Sequence, residues 1–351
     1  MKIKRESVKF MDKIRDISII EAILHVLDTN SDEPVLNSYM MQLTEESYKF
    51  ILSHIERVLK DETLKYASFK SKNTVIKEVS QDYLNGLVDL KTVSGEIAKD
   101  LFEIMKDNES IPSCDLLIVS FHTEYGPMIG ILKMDYVKQY THKIDIVDNN
   151  IGIGLMPVIT GLSASKKISK CTFIKPVRTG QEYDLLVFDK KAEFDEDGAN
   201  YFLDTFLGCS LIENDRDATR NFMDSVEIWT RSNYKDDAVK AEKIRSSIRY
   251  KLMECDKLNI YEVAEALISP YEPETKKSFI SYLQANNRDE ILVDKEYLEK
   301  RLSKVKLKIS SDIELSITGG VYMDGSKFEV SDNGDGSISM IIKNIENYVE
   351  K

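Results

Sequence analysis

The stretch from Phe194 to Trp229, FDEDGANYFLDTFLGCSLIENDRDATRNFMDSVEIW, decides how the chain is expected to divide. Apolar residues in its first half recur at helical spacing and predict a helix with one apolar face. These residues are Ala199, Phe202, Leu203, Phe206 and Leu207. Asp195 or Asp197 is expected to cap the start of this helix, because a carboxylate accepts hydrogen bonds from the free N–H groups there. Gly208 is expected to end it.

A second helix is predicted to follow directly, with Asn214 or Asp215 as its cap. Its inner face is predicted to hold Ala218, Phe222, Val226 and Trp229. A strand over Tyr183–Asp189 leads into this helical pair. Strands and helices alternate before the pair, whereas the chain after it is mostly helical and richer in Lys and Arg.

The 351 residues are 42% hydrophobic and 31% charged, which is typical of a soluble protein with a sizeable core. No apolar run has the length of a membrane span. The basic N-terminus lacks the apolar segment of a signal peptide. The cysteines are scattered and form no CxxC motif; they are Cys114, Cys171, Cys209 and Cys255. This pattern predicts reduced core thiols in a cytoplasmic protein.

The fold class is predicted to be α+β. Strands joined by short links predict a mostly antiparallel sheet with helices on one face. Predicted strands cover Ser18–Asp28, Leu64–Phe69, Asp115–Phe121, Met128–Met134, Ile151–Ile159 and Lys170–Pro176, and predicted helices cover Thr44–Lys60, Thr74–Leu84 and Val93–Lys106.

Two domains are expected: an N-terminal α+β domain over residues 1–232, which includes the helical pair, and a smaller basic helical domain over residues 233–351. In the second domain, helices are predicted over Lys235–Cys255, from Asn259, from Pro273 and from Asp294 to Leu302. Strands from Val305 onward are predicted to form β-hairpins. Short helices followed by strands are winged-helix-like by analogy.

Charge is unevenly distributed along the chain. The net charge of −12 argues against attraction of the whole molecule to nucleic acid, but residues 235–310 hold 16 Lys/Arg against 14 Asp/Glu. A DNA-binding surface is therefore predicted there, at Lys243, Arg245, Arg249, Lys276, Lys277, Lys300, Arg301, Lys304 and Lys306. Lys308 extends the last concentration of lysines. An ordinary solvated face remains the alternative for this cluster.

No catalytic, metal or cofactor site is predicted. The four histidines, His25, His54, His122 and His142, lie far apart in the sequence, and none has a partner at metal-ligand spacing. No Walker, GxSxG or Cys-His pattern is present.

Several segments resemble the bacterial family of nucleoid-associated proteins of the NdpA/YejK type. They are AILHVLDTNSDEPVLN, SGEIAKDLFEIM, DLLIVSFHTEYGPMIGILKMDY and YFLDTFLGCSL, in this order along the chain. The resemblance implies a non-enzymatic protein in the cytoplasm, at the nucleoid. It also implies sequence-nonspecific binding to double-stranded DNA, or to DNA-bound machinery such as a topoisomerase.

The acidic charge leaves direct and partner-mediated association with DNA open. The alternative function is an acidic protein-interaction or DNA-mimic module that acts on a DNA-binding partner such as a topoisomerase. The oligomeric state stays open, and a dimer is compatible with the sequence.

Overall fold

The computed structural model describes residue 14 and residues 16–61, 63–147, 150–165, 167–190, 200–269, 272–309 and 311–347. These residues form two compact units, which divide between Ile212 and Glu213. The α+β class is confirmed: the first unit is built on a large antiparallel sheet, and the second consists mostly of helices with short β-pairs.

The strands of the first unit are β1 Ser18–Leu27, β2 Lys65–Phe69, β3 Cys114–Thr123, β4 Gly126–Asp135, β5 Val137–Val147, β6 Asn150–Thr160, β7 Lys170–Ile174, β8 Leu185–Asp189 and β9 Cys209–Ile212. Within the described residues, seven of them form one sheet in the order β1-β3-β4-β7-β8-β2-β9. Every pair in that sheet is antiparallel. Strands β5 and β6 pair with each other outside this sheet, as a separate two-stranded ribbon. The sequence did not predict β5.

Helices cover both faces of this sheet, so the prediction of helices on one face was wrong. Helix α1 (Glu45–Leu59) packs on one face together with Leu117 and Val119. Helices α2 (Val75–Leu84) and α3 (Leu90–Asp107) pack on the other, together with Leu116 and Ile118. The helices on both faces explain why the sequences of β3 and β4 are almost continuously apolar. A strand that is buried on both faces has no polar side facing water.

The predicted helix before Gly208 exists only as a short π-helix over Tyr201–Phe206. Its cap is Asn200, whose Oδ1 accepts from the backbone N–H groups of Phe202 and Leu203; the proposed caps Asp195 and Asp197 lie outside the described residues. The side-chain N–H of Asn200 donates to Asp189 on β8, at 2.9 Å between Nδ2 and Oδ2.

Gly208 ends the π-helix as predicted. Its φ of +60° is in the left-handed region, and an added Cβ would lie 2.3 Å from Cγ2 of Thr74. Only glycine accommodates both the backbone conformation and this close approach. The chain then enters β9, which the sequence did not predict, so the expected pair of adjacent helices is interrupted by a strand.

The helix after Gly208 belongs to the second unit and not to the first. Helix α4 (Asp215–Asn233) is capped by Asn214 and buries the predicted inner face, including Phe222 and Trp229. The ring of Trp229 packs edge-on against Phe279 at 4.7 Å between ring centroids. The division between units therefore lies before α4, whereas the expected boundary at residues 232 and 233 lies at its end.

The rest of the second unit contains α5 Ala238–Glu254, β10 Lys257–Asn259, α6 Ile260–Leu267, α7 Pro273–Asn286, β11 Glu290–Leu292, α8 Lys295–Leu302, β12 Lys304–Lys308, β13 Glu314–Thr318, α9 Gly319–Tyr322, β14 Phe328–Asp332 and β15 Ile338–Ile342. Strands β10 and β11 flank the α6–α7 pair and bond to each other. Strands β12–β13 and β14–β15 are the predicted terminal hairpins. The likeness to a winged helix remains an analogy of element order.

Candidate nucleic-acid interface

Strand β12 presents a row of lysines because of its alternating sequence, KVKLK. Val305 is buried and Leu307 half-buried in a small core that also contains Tyr322 and Phe328. Successive side chains of a strand point to opposite faces. The side chains of Lys304, Lys306 and Lys308 therefore share the opposite face, and all three are exposed.

The partner strand β13 supplies mostly hydroxyl groups to the lysine face. Lys304 pairs with Thr318 and Lys306 with Ser316, while Lys308 lies opposite Glu314. Because directly opposite residues share a face, the first two lysines stand beside neutral groups that can also bond to phosphate. Lys308 stands beside a carboxylate and is less available to an anion.

The hairpin is held against the end of helix α8. The N–H of Gly319 donates to the carbonyl of Ser303 at 2.8 Å, and an added Cβ on Gly319 would lie 2.0 Å from the carbonyl oxygen of Leu302. The chain can approach the helix this closely only at glycine. Helix α8 is capped by Asp294, whose Oδ1 accepts from the N–H of Tyr297. The strand that carries the lysine face therefore begins at a helix end whose position these contacts fix.

The segment formed by α8 and β12, residues 295–308, holds six Lys/Arg against two Glu. Lys300 pairs with Glu296 one turn away at 2.7 Å, and both side chains are more than half exposed. Exposed pairs of this kind contribute about 0.5 kcal/mol or less, so an anion can take over the lysine. Arg301 is exposed at the helix end beside it.

The remaining predicted arginines link helices within the unit. Arg245 on α5 makes a two-pronged bond to Glu227 on α4, with N–O distances of 2.8 and 3.0 Å. This hydrogen bonding raises the pKa of Arg245. The guanidinium of Arg249 lies 4.8 Å from the ring centroid of Tyr322 and 3.8 Å from Glu242. Both side chains have structural contacts that DNA would have to displace.

The two lysines at the start of α7 have different surroundings. Lys276 is largely buried and pairs with Glu265 on α6 at 2.9 Å. Lys277 is exposed, as is Lys243 on α5. Of the nine predicted residues, four lie in the segment formed by α8 and β12, namely Lys300, Arg301, Lys304 and Lys306.

Sequence analysis missed the hydroxyl groups of Ser316 and Thr318. The alternation in ELSIT did place them on one face of a strand, but no sequence signal gave the register between β12 and β13. Within the described part of the chain, no group of three or more His, Cys, Asp or Glu residues is placed to hold a metal ion. No helix in the same residues has the length and apolar character to cross a membrane.

Exposed ammonium groups on a strand can bind a polyanion through phosphate contacts. A comparison with curated proteins found no significant match. The profile described as nucleoid-associated protein YejK matches residues 23–350, nearly the whole chain. This match confirms the resemblance seen in the four sequence segments, and the chain belongs to the YejK family of nucleoid-associated proteins.

Proposed function

We propose that this nucleoid-associated protein binds double-stranded DNA directly, in the cytoplasm, and acts by binding rather than by catalysis. The observation that carries the proposal is the shared, exposed face of Lys304 and Lys306, beside hydroxyl side chains and next to Arg301. The other residues of the predicted surface, Lys243, Arg245, Arg249, Lys276, Lys277 and Lys300, belong to the proposal as secondary contacts.

The contacts are proposed to be with phosphate and not with bases. Alternate residues of a strand are about 7 Å apart, so the β12 lysines form a straight row of point charges. Lysine on a flexible stem offers charge without the fixed, forked geometry with which arginine reads guanine. The expected binding is therefore nearly independent of base sequence.

The rest of the molecule opposes DNA binding. Outside residues 295–308 the chain holds 42 Lys/Arg against 58 Asp/Glu. Binding through a short basic strip on an acidic protein is expected to be weak at high salt and to involve few phosphates, since long-range attraction is absent. The slope of log K against log salt counts these phosphates directly.

The test is a salt titration of duplex binding by the Lys304→Glu/Lys306→Glu variant of the full chain. Losing two phosphate contacts should weaken binding to all sequences equally and flatten the salt slope by about two units. The matched control is Lys91→Glu/Lys99→Glu on α3, which makes the same change in net charge at two exposed lysines of the first unit. The control should keep its salt slope.

Equal affinity and slope in the β12 variant and in the control would overturn the assignment of the surface. Absence of duplex binding by the wild-type chain, together with capture by purified topoisomerase, would instead establish partner-mediated association with DNA. Circular dichroism of both variants separates a lost contact from a lost fold.

A further inference from the structure

The β5–β6 ribbon has one strongly apolar face that the other described residues leave uncovered. The cross-strand register places even-numbered residues of β5 and odd-numbered residues of β6 on the same side. This side holds large apolar side chains that are each 60–81% exposed, namely Tyr140, Ile144, Ile146, Ile151, Ile153, Leu155 and Ile159. The exposed residues form a continuous stripe rather than isolated positions.

The opposite face of the ribbon is mostly polar. It holds Gln139, Thr141, and Lys143 paired with Asp145 at 3.1 Å. Such one-sided character is typical of a sheet that packs on an apolar partner with one face and meets water with the other. A two-stranded ribbon alone is marginally stable in water, so this ribbon needs a cover.

We propose that the cover is the same ribbon of a second copy of this chain. Two ribbons packed face to face form a small four-stranded sandwich with both apolar faces inside and both polar faces in water. Together the apolar side chains expose on the order of 800 Å² per ribbon, which is the area that each partner contributes to a stable interface of standard size. An apolar patch of this size on a protein surface usually marks an interaction site, whereas smaller patches are normal on monomers.

Charge favours a second copy over a lipid surface. Among the described residues, the Lys, Arg, His, Asp and Glu side chains on the apolar face are Lys138, at the base of the ribbon near Tyr140, and His142, opposite Leu155. Two copies therefore meet there without opposing rows of charge. An anionic membrane would instead repel a chain of net charge −12.

The base of the ribbon is fixed to the sheet of the first unit. Asp115 on β3 accepts a bond from the hydroxyl of Thr160 at 3.0 Å and another from the N–H of Gly161 at 2.7 Å. The ribbon is thus anchored at its base, and its apolar face points in a defined direction. Pre-organisation of this kind lowers the entropy cost of association.

The test is the mass of the full chain by light scattering and by sedimentation over micromolar concentrations. The wild type should be a dimer, and the variant Ile144→Thr/Ile153→Thr/Leu155→Thr should be a monomer. Threonine suits strands because it is β-branched, and it removes apolar surface at each of the three positions. The control variant Met156→Thr/Val158→Thr changes the polar face only and should remain a dimer.

Amide hydrogen exchange gives a second readout that does not depend on any variant. Protection of the β5–β6 amides in the wild type should rise with protein concentration through the dimerisation range. A monomeric wild type, a dimeric face variant or concentration-independent protection would overturn the proposal. A monomer that binds phosphatidylglycerol vesicles through this face would show that lipid is the occupant.

Discussion

At the residue scale, the buried histidine of β1 links stability to pH. His25 is 1% exposed, and its Nδ1 accepts from the N–H of Asn37 at 3.1 Å. Burial lowers the pKa of His25 from 6.5 to about 4. The unfolded chain therefore binds a proton near pH 6.5 that the folded chain takes up only near pH 4. The free energy of unfolding should fall as pH falls through this window, and level off for this residue below it.

The variant His25→Asn keeps an acceptor for Asn37 but cannot take up the proton. Its free energy of unfolding, measured by urea titration at several pH values, should depend less steeply on pH between about 6.5 and 4, by up to one proton. The exposed His122→Asn serves as control. Parallel pH profiles for the wild type and His25→Asn would mean that His25 is protonated in the folded state.

At the scale of elements, helix α4 should decide which fragment of the chain folds. The larger core of the second unit contains Phe222 and Trp229 of α4, which pack with residues of α5, α6 and α7. A fragment over residues 213–351 should melt cooperatively. A fragment over residues 233–351 lacks this helix and exposes Phe279, and removal of such large apolar contacts costs more than about 3 kcal/mol each. It should show no cooperative melting by circular dichroism.

Equal melting of the two fragments would restore the boundary at residues 232 and 233 that the sequence suggested. Cleavage by protease between residues 212 and 215 in the full chain, with both products compact, would support the boundary before α4.

Local chemistry made most elements predictable from the sequence. The caps Asn214, Asn259 and Asp294 and the first-turn Pro273 marked helix starts, because these residue types satisfy the free backbone groups there. Strand β5 was missed, because Lys138 and His142 on its apolar face interrupt the alternation of apolar and polar residues. The assignment of α4 to a unit depends on contacts distant in sequence, such as that between Trp229 and Phe279, which local patterns do not contain.

At the scale of the whole molecule, the candidate site was predictable only in part. Counting charges along the sequence identified the region that contains β12 as basic. It could not distinguish Lys304, which is exposed and available to an anion, from Arg245, whose guanidinium is paired with Glu227. That distinction requires the packing of α5 on α4. The exposure of the apolar ribbon could not be predicted either, since the apolar sequence of β6 is typical of a buried strand.

If the protein binds DNA as proposed, the acidic excess outside the basic strip should also govern how several copies share one duplex. Neighbours that bind side by side bring like-charged flanks within about 10 Å, the screening length at 0.1 M salt. Mutual repulsion should then keep molecules apart along the DNA, and added salt should let them crowd together even as each one binds more weakly. The length of duplex covered per molecule at saturation should therefore shrink as salt rises. A constant length in a titration of stoichiometry would show that size, and not charge, sets the spacing.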